Sequence, residues 1–241
     1  DVMGFPRGNP LAEVGALKSY RWPDPWDERI SSRIHDLARG FPGGDLFLSG
    51  RNRDTLWEKA YMLVGMENMM VYFHTESEFA REVLHRIMDF QLGIAAQYVA
   101  HGIEIAHLGD DLGTQNSLIL SPSVIREFLL PEYKRLFSFY KQHGVLIDFP
   151  SCGHIEPLLG FFLELGVDIL NPLQATANNL AAVREMTQGR LALAGGVSTK
   201  TLMDGPAGRI RAEVRDAIRL LGRQGGYFCA PDQGMPWPEA H

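Results

Sequence analysis

From Asp45 onward, short and nearly continuous apolar runs alternate with longer amphipathic stretches. The short runs are Leu46 to Ser49, Ile103 to Leu108, Val145 to Phe149, Val167 to Leu170, Leu191 to Ala194 and Tyr227 to Ala230. A strand buried on both faces is apolar throughout rather than at every second residue, so these runs predict a parallel sheet covered by helices. Between them the punctuation is helical. Thr75 to Glu78 has the form of a capping box ahead of a helix over Phe79 to Ala100, and Gly102 stops it. Ser121-Pro122 offers an N-cap and a first-turn proline for a helix running towards His143, with Gly144 as its stop. Gly166 and Gly222 stand where the next helices should end. The first 40 residues are rich in Pro and Gly and hold one predicted helix, Asp27 to Ala38. Within them Tyr20-Arg21-Trp22-Pro23-Asp24-Pro25 is a surface turn, because its prolines forbid regular structure.

Repeated strand–helix alternation predicts an α/β architecture with right-handed crossovers. No repeat with a period of roughly 20 to 50 residues is present, which excludes a solenoid. The six runs fall short of the eight strands of a (β/α)8 TIM-type barrel. An open doubly wound sheet would accept six, but no Gly-x-Gly-x-x-Gly follows the first run. The expectation is a single barrel domain over residues 1–241, incomplete at its N-terminus, with residues 1–44 an irregular segment. A barrel lacking its opening strands has an edge that something must cover. The chain starts at Asp1 without methionine, and we expect a piece of a longer protein.

Composition narrows the function classes. The net charge of -6 comes without a basic stripe, so neither nucleic acid nor an anionic membrane has electrostatic support as a partner. No run of about 18 apolar residues spans a bilayer, and nothing at the start reads as a signal peptide. Two cysteines, Cys152 and Cys229, are too few for a disulfide scaffold and fit the reducing cytoplasm.

In parallel α/β folds the chemistry sits where strands end, so those positions supply the candidates. The second run is followed by Asp110 and Asp111, which could bind a cation or hold a reacting group, or could cap free amides in a turn. The third is followed by Cys152 and His154, ahead of a helix expected near Ile155. The positive end of that helix would favour a thiolate, and thiolate and imidazole are both zinc ligands. The alternative is a buried thiol beside a histidine that caps the helix. Asn171 and Gln174 follow the fourth run, Gly195 and Gly196 the fifth, and Gln233 the sixth. The paired glycines permit close approach of a ligand or tight packing. Cys229, within a strand, is expected in the core. Tyr61 shares a helix face with Trp57 and could donate to substrate from a rim position.

GDDLGTQNSLILSPSVIREFLLPEYKRL, SCGHIEPLLGFFLELGVDILNPLQ, LALAGGVST and GGYFCAPDQGMP together resemble the uroporphyrinogen decarboxylase superfamily, over about Leu17 to Pro238. That resemblance implies a (β/α)8 barrel. It also implies one of two activities: decarboxylation of porphyrinogen carboxylates in haem biosynthesis, a lyase reaction without metal, or zinc-containing, corrinoid-dependent methyl transfer. The decarboxylases' active-site tyrosine falls on Tyr61, their serine near Asp110 and their histidine on Gln233. Of the methyltransferases' zinc ligands, the first cysteine falls on Cys152, while Pro150 stands for the histidine and Gln233 for the second cysteine. His154 and Cys229 are displaced substitutes. The resemblance favours methyl transfer or demethylation. It implies a small-molecule substrate, a corrinoid protein as partner, zinc as cofactor and a homodimer as assembly. A ligand-binding homologue without catalysis is the further alternative, supported by Pro150 and Gln233.

Overall fold

The computed structural model describes residues 8–41, 43, 45–187 and 189–234. Met235 and Pro236, at the end of the last resembling motif, lie outside them. The chain folds as two compact units: residues 1–110 with 123–145, and residues 111–122 with 146–241.

The first unit contains α1 (Glu28–Arg39), β1 (Ser49–Arg51), α2 (Trp57–Val64), α3 (Met66–Thr75), α4 (Ser77–Ala100) and β2 (Ile105–His107). A helical turn, α5 (Pro122–Val124), runs through a π-helical turn (Ile125–Leu129) into α6 (Leu130–Gln142). β1 pairs with β2 in parallel, Gly50 opposite Ala106. The first strand lies later than its apolar run: Leu46 and Phe47 are 60% and 66% exposed, and pairing begins at Ser49. Gly50 shows why the ladder forms there. A Cβ on it would sit 2.7 Å from the Tyr98 ring, whose hydroxyl donates to the Arg51 carbonyl at 2.8 Å. The capping box does not form. Thr75 is the last residue of α3, and its hydroxyl donates back to the Val71 carbonyl at 3.2 Å. The core is Leu56, Trp57, Met69, Leu84, Met88, Phe137 and Tyr140, all fully buried. Burying each such side chain stabilises the unit by roughly 1.5–3 kcal/mol.

The second unit contains β3 (Leu146–Pro150), α7 (Leu159–Leu165), β4 (Ile169–Leu173), α8 (Leu180–Thr187), β5 (Ala192–Val197), α9 (Thr199–Asp204), α10 (Ala207–Leu221) and β6 (Tyr227–Pro231). β3 pairs with β4, β4 with β5 and β5 with β6, all in parallel. Phe149 packs on Phe162, ring centroids 5.6 Å apart, over a core of Leu158, Leu170, Leu193 and Leu221. Gly166 ends α7 in the left-handed conformation, as its position predicts. One expectation fails here: Cys229 is exposed. Among the described residues β6 pairs only with β5, and Phe228 beside the cysteine is 56% exposed, so this strand is not covered on both faces.

Candidate functional site

In the first unit the loop after β1 leads into α2, whose N-cap, Leu56, has no side chain that can accept the free amides of the first turn. Residues distant in sequence accept them instead. Asp110, just past β2, takes the Leu56 N–H on Oδ2 at 2.8 Å and the Glu58 N–H on Oδ1 at 2.9 Å. The Trp57 N–H donates to the Tyr133 hydroxyl, which donates in turn to Asp110 Oδ2 at 2.5 Å. Asp110 is 1% exposed. Burial pushes its pKa up to about 6, against the opposing pull of its three donors and of the nearby Lys59 ammonium. Burial lowers the Lys59 pKa, and its Nζ donates to the Arg53 carbonyl at 3.0 Å and to that of Asp54. The Tyr133 hydroxyl is pushed well above its ordinary range by burial and by the Asp110 charge. Tyr61, one turn along α2, donates to the Glu58 carboxylate at 3.4 Å and meets the buried Trp57 ring edge-on.

In the second unit the loop ends gather around Cys152. Gly113 and Gly153 meet backbone to backbone: a Cβ on Gly153, whose φ is +83°, would lie 2.4 Å from the Gly113 carbonyl carbon. No other residue fits at either position, which gives the Gly-Asp-Asp-Leu-Gly and Ser-Cys-Gly motifs a physical reason. The amides after β3 are all taken. Cys152 N–H donates to Asp111 Oδ1 at 3.1 Å and Gly153 N–H to Gln174 Oε1 at 3.0 Å. His154 N–H donates to the Thr114 carbonyl at 2.7 Å and Ile155 N–H to Asn178 Oδ1 at 2.9 Å. Asn178, 8% exposed, returns two bonds from Nδ2, to the Gly153 and Gln174 carbonyls.

The helix start expected beside Cys152 is displaced along the chain. The expected helix begins as a 3-10 turn, Glu156–Leu158, and becomes α-helical only at Leu159. The backbone N–H groups of Cys152, Gly153, His154 and Ile155 each donate to another acceptor. Cys152 Sγ instead lies 3.8 Å from Gln233 Oε1, and Gln233 Nε2 donates to Gln174 Oε1 at 3.2 Å. His154 Nδ1 is 2.8 Å from the Ala177 carbonyl and 3.8 Å from Glu156.

The expected site residues thus divide. Asp110 and Tyr61 belong to the first network; Asp111, Cys152, Gln174 and Gln233 are brought together in the second. Asn171 accepts the Ser151 N–H on its carbonyl at 2.8 Å. Gly195 lies against the Leu173 backbone and Gly196 against Leu221 and the Tyr227 hydroxyl. Reading the sequence missed Tyr133, Lys59 and Asn178, whose partners lie 23 or more residues away or come from backbone groups. Asp232, beside Gln233 after β6, is 2% exposed and accepts the Ala175 and Thr199 amides at 3.1 and 2.8 Å. A cavity of about 630 Å³ lies in the first unit beside α1, β1 and α4, lined by Arg33, Arg51, Ile94, Tyr98 and His101 among others. None of the expected site residues lines it.

Among the described residues no three His, Cys, Asp or Glu side chains are grouped as metal ligands. Cys152 faces a carboxamide, and His154 Nδ1 is engaged with a backbone carbonyl. Among the described residues, a zinc centre with three protein ligands does not fit this arrangement.

Parallel strands joined by helices, with polar side chains at the strand ends, place the chain in the TIM-type α/β fold class. The model of the uroporphyrinogen decarboxylase (URO-D) family matches residues 57–239, and the chain belongs to that family. It is similar to a methylated-thiol–coenzyme M methyltransferase of Methanosarcina mazei, with 28% identity over 106 residues, 44% of this chain and 28% of that protein. Its fold is similar to that of a methyltransferase from Methanosarcina mazei, with a TM-score of 0.75 and 20% identity, over 95% of this chain and 65% of that one. The chain therefore spans less than two thirds of the length of either relative. No helix among the described residues is long and apolar enough to cross a membrane.

Proposed function

We propose that the chain forms the substrate rim of an enzyme that moves a methyl group between sulfur and a corrinoid carried by a partner protein. The carrying observation is the convergence of the loops after β3, β4 and β6 on the half-buried Cys152 thiol, with Gln233 and Gln174 beside it. The methyltransferase relatives support this reading over decarboxylation, which the family also includes. The corrinoid, when bound, would supply or accept the methyl group. The residues of the chain do the positioning. Cys152 presents its sulfur at this rim, held against the Gln233 carboxamide. Asp111 holds the Cys152 backbone through its amide.

The test uses the full-length protein with a methylated thiol and cob(I)alamin, following methylcobalamin by absorbance. Transfer that falls at least about 100-fold in Cys152→Ser, a loss of 2.7 kcal/mol or more in transition-state stabilisation, supports the reading. Undiminished transfer in that variant, or decarboxylation of uroporphyrinogen in place of methyl transfer, overturns it.

A further inference from the structure

The amide pair beside Cys152 has a direction that can be derived from one atom. The Gly153 backbone nitrogen can only donate, so the Gln174 atom that faces it at 3.0 Å is the carbonyl oxygen Oε1. Gln174 Nε2 consequently points away, to Thr176 Oγ1 at 3.2 Å. The Gln233 atom that meets Gln174 Oε1 at 3.2 Å must then be a donor, Nε2. That leaves Gln233 Oε1 towards Cys152 Sγ at 3.8 Å, where an acceptor is matched by a protonated thiol and opposes a thiolate. Both lone pairs of Gln174 Oε1 are filled, and Gln174 is 4% exposed, so the amide is not free to turn.

We propose that Gln174 is a positioning residue that acts through Gln233 to hold Cys152 as a neutral hydrogen-bond donor, making this rim a metal-independent thiol site. The proposal deepens the methyl-transfer reading, in that it takes Cys152 as the group that meets the substrate sulfur. Its own geometry does not depend on which reaction follows. In place of the ligand set of a metal centre, the rim carries a relay of amides that starts at a backbone N–H and ends at a sulfur. With its one proton directed to Gln233 Oε1, the sulfur carries no charge.

The experiment measures the pH profile of Cys152 alkylation by iodoacetamide in the full-length protein carrying Cys229→Ser, with zinc content determined on the same samples. Gln174→Met preserves length but removes the acceptor, releasing the Gln233 amide to present its N–H to sulfur. Alkylation near pH 7.5 should then accelerate about 3- to 10-fold, with the midpoint lower by about half to one pH unit. Gln174→Glu keeps an acceptor for both donors and adds negative charge, so alkylation should stay unchanged or slow. A residue that merely packs would move both variants the same way. Equal acceleration in both, an unmoved profile in Gln174→Met, or stoichiometric zinc lost in Cys152→Ser would overturn the proposal. If Gln174→Met fails to fold, acceleration in Gln174→Glu is sufficient to overturn it. The measurement reads thiol chemistry alone, so failure of methyl transfer and failure of this relay are seen separately.

Discussion

The loop ends around Asp110 in the first unit and around Cys152 in the second solve one problem with different chemistry. Each has strand-end loops whose backbone amides lack partners of their own, and each supplies acceptors from distant side chains. In the first unit the acceptor is one carboxylate, Asp110, supported by Tyr133. Around Cys152 in the second unit, amide side chains do most of the work, with Gln174 and Asn178 taking the Gly153 and Ile155 N–H groups. A carboxylate makes a stronger clamp, because bonds to a charged acceptor are roughly twice as strong as neutral ones. It also carries a desolvation cost, visible in the raised Asp110 pKa. Amides can be buried at lower cost, and because they donate as well as accept they can pass a direction along a chain. The amides around Cys152 form the arrangement that fixes polarity; Asp110 forms the one that fixes position.

The sharpest break in the comparison is Asp110→Ala. It leaves two buried backbone N–H groups and the Tyr133 hydroxyl without their acceptor, so denaturant unfolding should show a loss of roughly 3–5 kcal/mol. A loss below about 1 kcal/mol would mean that the carboxylate does not hold α2. The pH dependence comes next. The folded pKa of Asp110, about 6, lies above its ordinary 3.8, so the folded state retains the proton over that window. The stabilisation from this proton is complete below about pH 4 and is lost as pH rises through about 6, by roughly 3 kcal/mol in all. Asp110→Asn should flatten that part of the stability profile; a profile identical to wild type would show that another group titrates.

Asn178→Ala tests the amide side of the comparison. It removes the Ile155 acceptor and the two donated bonds, and should cost roughly 2 kcal/mol. Unlike the Asp110 effect, its cost should be the same at pH 4.5 and pH 7.5, and a strong pH dependence would erase the distinction drawn between the units. The smallest effect is expected at Tyr61, whose bond to Glu58 is long at 3.4 Å. Tyr61→Phe should change stability by less than about 0.5 kcal/mol. Its rate in the proposed methyl transfer, set against that of Cys152→Ser, then asks whether chemistry reaches the first unit at all.

Much of the fold was legible because continuous apolar runs and glycine stops are local signals. Val145 to Phe149 and Tyr227 to Ala230 lie within one residue of the strands they predict. Errors arose where a local signal competed with tertiary packing. Leu46 and Phe47 are apolar but exposed, while Ser49-Gly50-Arg51 forms the strand because Tyr98 packs on Gly50. Thr75 to Glu78 has the capping-box residues, yet α3 runs through Thr75 and leaves the hydroxyl a nearer carbonyl. The site was legible as a set of strand-end positions, including Asp111, Cys152, Gln174 and Gln233. Its wiring was not. Whether Cys152 faces a helix end, a metal or an amide depends on Gln233, 81 residues away, and on where a helix starts.

The seam where Gly113 and Gly153 touch bears on attempts to reshape this rim by directed evolution. Two main chains in direct contact leave no volume for any side chain, so libraries that randomise either codon will consist almost wholly of dead clones. Diversity is better placed in the neighbouring Gln115–Ser117 hairpin tip, where side chains are solvent-facing and new ones have room.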